Sequence, residues 1–166
     1  LFCGPATAQH DETKTVNAGH LLDLIKDHKK LKDLLKRGGE ALRASEHNYL
    51  SIFESVANLI ATIDKKGVII DCNGKIKGVL GYDKDEIIGR SVAALFHPHD
   101  LPRVQETVRE VIKKGASYYK QYEMVKKDGS TVVVSVNSTP LKNEKGKITE
   151  VVSIAEDITE RKRVEE

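Results

Sequence analysis

From His20 onward the chain reads HLLDLIKDHKKLKDLLKR, with Leu21, Leu24, His28, Leu31 and Leu35 at three- and four-residue spacing. Leu22, Ile25 and Leu34 widen that stripe, which predicts an amphipathic helix seeking a partner surface. Gly38-Gly39 interrupts the pattern, as paired glycines do at a helix end. A second helical stretch, EALRASEHNYLSIFESVANLI, repeats the spacing through Leu42, Ser45, Tyr49, Ile52, Phe53 and Val56. After Asn58 the period falls to two. Leu59–Ile63 and Val68–Cys72 read as short strands around Asp64-Lys65-Lys66-Gly67, a hairpin turn ending in glycine.

Three short helical pieces are expected between about Gly74 and Phe96, broken at Gly78, Gly81 and Gly89. A clearer helix runs from Leu101 to Lys114, with Asp100 as its cap, Pro102 in its first turn and Gly115 at its end. Val104, Val108, Val111 and Ile112 form its apolar stripe. Three longer strands follow: Ser117–Lys126, Thr131–Leu141 and Ile148–Thr159. An Asp128-Gly129 turn joins the first two, and Asn143–Lys147 joins the last two. The order, two strands, small helices, then three strands, predicts an α+β fold with one five-stranded antiparallel sheet. Short helices lie on one of its faces, and N-terminal helices precede it. The expected divisions are a tail at 1–19, a helical linker at 20–48 and the main domain at 49–159. The start of an outgoing helix occupies 160–166.

Composition narrows the function more than it names it. The 166 residues carry 27 basic and 25 acidic side chains, interspersed, for a net charge of +2. That gives no electrostatic footprint for nucleic acid. No apolar run approaches the roughly 20 residues of a membrane span. Cys3 and Cys72, far apart and without a framework, are expected as free thiols of a reducing cytoplasm. No clustered Cys/His spacing points to a structural metal, so no metal ligand is assigned. Phosphate-binding glycine loops, GxSxG and HExxH are absent from the sequence. Asp64, Asp71 and Asp83 sit beside turns as solvated turn formers, and His20 and His28 lie outside any recognisable phosphoacceptor setting. Catalysis by this chain is not expected. The leading Leu1, in place of Met, suggests a piece of a longer protein.

An ordered set of motifs resembles the PAS domain, the sensor module of many signalling proteins, over about Tyr49 to Thr159. Asn73 ends the second strand and is followed by GVLGYDKDEIIGRS, in which Gly81-Tyr82, Glu86 and Gly89-Arg90 match the family's pattern. His97-Pro98-His99-Asp100, Lys127-Asp128-Gly129 and Asp157-Ile158-Thr159 complete the set. The pattern departs at Gly74-Lys75, where the family often has Pro and Ala. The resemblance implies a homodimer within a cytoplasmic signal-transduction protein, most readily a sensor histidine kinase. An output kinase domain would lie in the parent chain, joined by a coiled coil.

The resemblance leaves the cofactor unknown. In the flavin-binding light sensors of this superfamily a reactive cysteine follows Gly-Arg, and Val92 stands at that place, so no adduct can form. Three flavin-binding amides map to Met124, Val134 and Ala155, which would leave polar ring edges unmatched at about 1–3 kcal/mol each. Oxygen-sensing haem members take a histidine from the long helix, and Leu101–Lys114 contains none. His97 and His99, in the loop before it, are better read as polar loop residues, so haem is disfavoured.

Strand alternation then sorts the interior. Tyr122, Met124, Val132, Val134, Val136, Ser153 and Ala155 should face the helices. With Ile76, Val92, Val104 and Val108 they would line either a filled core or a small pocket. Such a pocket would take an apolar or weakly polar metabolite, with Tyr122 or Ser153 as its polar anchor. Val133, Val152 and Ile154 lie on the opposite face, which Phe53 and its helix should cover, within the chain or across a dimer. That face is expected to be the dimerisation and signalling surface. Asp157 and Thr159 are expected to cap the outgoing helix and relay the signal. The competing reading is a scaffold for dimerisation or protein–protein interaction without a ligand.

Overall fold

The computed structural model describes residues 18–35 and 42–165. The expected tail and the Gly38-Gly39 break lie outside those residues. Helix α1 (Ala18–Leu35) and helix α2 (Leu42–Ser55) precede strands β1 (Leu59–Asp64) and β2 (Ile69–Cys72). Helices α3 (Lys75–Leu80) and α4 (Lys84–Ile87) and two single-turn 3-10 segments, Val92–Leu95 and Pro98–Asp100, lead to α5 (Leu101–Lys114). Strands β3 (Tyr118–Val125), β4 (Thr131–Lys142) and β5 (Ile148–Asp157) follow, and α6 (Thr159–Glu165) leaves the sheet. The five strands form one antiparallel sheet in the order β2-β1-β5-β4-β3. The last strand therefore lies in the centre, between the first and the fourth.

Local chemistry explains the turns. Asp64 Oδ1 accepts from the backbone N–H groups of Lys66 and Val68 at 2.8 and 2.9 Å, and Gly67 supplies the positive φ of 81° that closes the hairpin. Gly115 ends α5 at φ 64°, its N–H bonded to Val111 O.

Three expectations need correction here. Gly78 does not break a helix: it lies inside α3, and a side chain there would meet nothing within 4 Å. An exposed glycine costs a helix only about 1 kcal/mol, and burial of Ile76 and Leu80 outweighs it. Asp100 does not cap α5 with its side chain. Its carboxylate, 2% exposed, accepts from Glu123 N at 2.7 Å and pairs with Arg103. Thr159 belongs to α6, not to the last strand.

The sheet separates two apolar cores. One lies under α3, α4 and α5 and contains Leu59, Ile69, Cys72, Ile76, Leu80, Ile87, Val104, Val111, Tyr122, Met124 and the odd-numbered β5 residues Val151 and Ala155. The other lies on the outer face, where Leu21, Leu22 and Ile25 of α1 and Phe53 of α2 cover Ile60, Leu141, Val152 and Ile154. A helix whose apolar stripe is met this way is stabilised chiefly by that burial, at about 1.5–3 kcal/mol per large side chain. An ion pair between Lys29 and Glu150 fastens α1 to the start of β5.

Where α1 crosses α2, the His28 ring stacks on Tyr49 with centroids 3.3 Å apart and planes 7° apart. His28 Nδ1 is buried without a hydrogen-bond partner. Burial, aided by Lys32, holds the imidazole below its ordinary pKa, against the opposing pull of Glu46 and Asp71. The neutral ring thus favours docking. The stability it contributes is complete above about pH 6.5, the unfolded value, and is lost as pH falls below it. Melting curves from pH 7.5 to 5.5 are expected to show a steeper loss in the natural chain than in His28→Leu. Equal slopes would contradict this reading.

Candidate functional site

Between the sheet and helices α3 to α5 the inner core leaves a cavity of about 50 Å³. Of the expected residues, Ile76, Val92, Val104, Val108, Tyr122, Met124, Val136, Ser153 and Ala155 lie in its wall. Val132 and Val134 are buried in the same core, 2% and 0% exposed, but outside that wall. Sequence reasoning did not assign Leu59, Ala61, Cys72, Phe96, Thr107 and Ser138, which also line it. Alternation along β1 puts Leu59 and Ala61 on one face, a signal that was readable. Thr107 was not, because a threonine on a helix declares no partner.

The wall is apolar, with the sulfurs of Cys72 and Met124 among its carbons, apart from a few hydroxyls. Thr107 Oγ1 and Tyr122 Oη are 2.7 Å apart, joining α5 to β3. Ser138 Oγ and Ser153 Oγ are 2.9 Å apart, joining β4 to β5. The Phe96 ring stands edge-on to Tyr122, at 5.4 Å and 76°. Burial raises the Tyr122 pKa, although Thr107 and Arg103 partly offset it, so the phenol keeps its proton and can donate. Burial likewise pushes the Cys72 thiol up to about 11. It is therefore a small apolar wall element and not a nucleophile.

The site has a polar rim. Arg103 pairs with buried Asp100, donates to Gln121 O at 3.1 Å, and lies with its guanidinium 5.1 Å from the Tyr122 ring centroid. Asp100 in turn accepts from Glu123 N. One arginine thus ties α5 to β3 beside the cavity. His97 and His99 are not in the cavity wall.

A cavity of this size exceeds the ~10–15 Å³ that one water needs and falls well below the ~300–1,000 Å³ of a drug-sized pocket. It suits a molecule of a few heavy atoms, apolar along most of its length and with one hydrogen-bonding group.

The wall continues directly into the C-terminal exit. Ser153 and Ala155 are followed along β5 by Asp157, whose Oδ1 accepts from Thr159 N at 2.9 Å. Asp157 thus holds the first residue of α6. Thr159 does something other than the expected capping: its Oγ1 accepts from Val133 N at 3.1 Å. Ile158 N donates to Val133 O at 2.9 Å, so both backbone groups of Val133 in β4 hold the strand-to-helix junction.

The entry is fastened as firmly. Asn73, fully buried, accepts from Ile60 N at 3.0 Å through Oδ1. Its Nδ2 donates to Phe53 O at 3.0 Å and Asn58 O at 2.9 Å. Glu54 Oε2 accepts from Gly74 N at 2.6 Å. The C-terminal turn of α2 is therefore bound to the end of β2. On the outer face Phe53, Val152 and Ile154 are buried under the chain's own helices and Val133 is half-buried.

The antiparallel five-stranded sheet thus has small helices on one face, its last strand in the centre, and helices that enter at β1 and leave from β5, both interior strands. A family model described as the PAS fold matches residues 53–163. The chain belongs to the PAS family. The PAS domain of a protein from Colwellia psychrerythraea superposes with a TM-score of 0.64 at 27% identity, covering 69% of this chain and 98% of that one. Among curated proteins, the sensor histidine kinase TmoS of Ectopseudomonas mendocina is 23% identical over 133 residues, 80% of this chain and 14% of the relative. The methyl sulfide methyltransferase-associated sensor of Methanosarcina acetivorans is 26% identical over 130 residues, 78% of this chain and 13% of the relative. The chain thus spans about one seventh of the length of these two curated relatives. No helix among the described residues is long and apolar enough to cross a membrane.

Proposed function

We propose that this PAS domain senses a small, mostly apolar molecule in its inner cavity and passes its occupancy to α6 through β5. The observation that carries this reading is the continuity of β5. Ser153 and Ala155 stand in the cavity wall, Asp157 at the end of the same strand holds Thr159 N, and Thr159, the first residue of α6, is held in turn by Val133 N. Occupancy acts as a population shift: a molecule that packs better against one arrangement of β5 and α5 favours the matching position of α6. Tyr122 and Ser153 are the polar anchors, and the apolar wall supplies most of the affinity.

The parent protein is read as a sensor histidine kinase, on the strength of a relative named as one. In it α6 would continue toward the kinase domain. Homodimerisation is assigned to the flanking helices and not to the outer sheet face, because Val152 and Ile154 are already covered within the chain. The small cavity also favours a second reading, a scaffold that signals through partners alone.

The two readings separate in a titration of isotope-labelled protein with short-chain alcohols, 1-propanol first. A sensor is expected to show saturable amide shifts at Ser153 and Ala155 and matching shifts at Thr159 to Glu165. A scaffold would show neither.

A further inference from the structure

We infer that His97, His99 and Glu123 form a binding site for a divalent transition metal such as Zn²⁺, on the rim outside the cavity. One ligand atom of each residue can be chosen so that all lie within 4.8 Å of one another, close enough for one ion to bridge them. The chemistry of the set is selective. Two imidazoles with one carboxylate suit zinc, copper, nickel or iron, whereas calcium and magnesium favour all-oxygen shells. Three protein ligands leave a coordination position for water or another ligand.

The backbone holds these donors in place. His97 N donates to Glu123 O at 2.8 Å, and Phe96 forms an isolated antiparallel bridge with Met124. The loop is thus registered against β3. Pro98 separates the two histidines and starts the single 3-10 turn Pro98–Asp100, which brings their rings to 4.3 Å between centroids. His97 and Glu123 are half-buried and His99 is exposed, so the donors face an accessible surface. Asp100 Oδ2 lies 3.4 Å from His99 Nε2. A His99 that gives Nδ1 to the metal would keep its Nε2–H toward that carboxylate, the arrangement that commonly orients a ligating imidazole.

The site is independent of the ligand reading above: an empty or filled cavity leaves its three donors unchanged. It does bear on the same machinery. A bound ion would clamp the loop before α5 to β3 beside Asp100, whose carboxylate anchors Arg103 over Tyr122.

The test uses untagged protein titrated with Zn²⁺ by calorimetry and with Co²⁺ by visible absorption. One ion per chain is expected, with Co²⁺ bands of a four- or five-coordinate site. His97→Ala and His99→Ala, which remove direct ligands, are each expected to weaken binding by at least the roughly 100-fold at the upper end of what loss of an outer-shell partner costs, and Glu123→Gln by about 10-fold or more. His47→Ala, an exposed position on α2, is expected to change nothing. Absence of binding overturns the proposal. So does binding whose affinity survives either histidine substitution or Glu123→Gln. All three positions are at least partly exposed, so melting curves of the variants are expected to match the metal-free parent.

Discussion

Asn73→Ala is expected to lower stability by about 2–4 kcal/mol, a drop in melting midpoint on the order of 10 °C. The amide is fully buried and serves three backbone groups: Ile60 N–H, Phe53 C=O and Asn58 C=O. Truncation leaves them in a space too enclosed for easy hydration, and each buried unsatisfied group costs about 1–3 kcal/mol. Asn73→Asp is expected to do no better at neutral pH. It keeps one acceptor, turns both donors into a repulsion between carboxylate and carbonyl, and buries a charge. The effect should also be local. Hydrogen exchange is expected to quicken first at Ile60 and at the end of α2, because Asn73 provides the buried tie between that helix and the sheet, leaving only the exposed Glu54–Gly74 bond beside it. A loss below about 1 kcal/mol would show that the three groups find other partners.

Ile154→Asp is expected to release α1 and the end of α2 from the sheet. Ile154 is 4% exposed and packs in the outer core with Phe53, Val152 and the α1 leucines. Ile154→Ala would remove apolar volume at about 2–4 kcal/mol, while the charge adds a desolvation cost that the helices escape by undocking. The sheet face was expected to be a dimer surface, and the structure changes the expected readout. The first consequence is loss of exchange protection along Leu21–Ile25 together with a lower melting midpoint. Full protection of α1 in this variant would contradict the intramolecular cover.

Much of this architecture is legible in the sequence. Period-two alternation sorted β4 and β5 into their two faces, because a strand with one face in each core repeats its signal over eight or more residues. Asp64-Lys65-Lys66-Gly67 and Asp128-Gly129 located the hairpins through turn chemistry that acts locally. The misreadings came from residues whose partners lie far along the chain. Asp100 resembles a helix cap, and only the approach of β3 turns its carboxylate to Glu123 N and Arg103. Thr159 has the chemistry of a cap too, yet Val133 N takes its oxygen. Glu123 is one charge among many on an edge strand. Nothing along the sequence places it beside His97, because a backbone bond across 26 positions does so. Gly78 misled for the opposite reason: a local cost was taken as decisive where burial on either side prevailed.

In the proposed function, occupancy of the inner cavity reaches α6 through the Asp157–Thr159 junction. The most direct measurement is the 1-propanol titration repeated on Asp157→Ala, following amide shifts at Ser153, Ala155 and Thr159–Glu165. The expected result is that shifts at Ser153 and Ala155 saturate as in the natural chain while those in α6 disappear. Unaltered α6 shifts in the variant would contradict the relay.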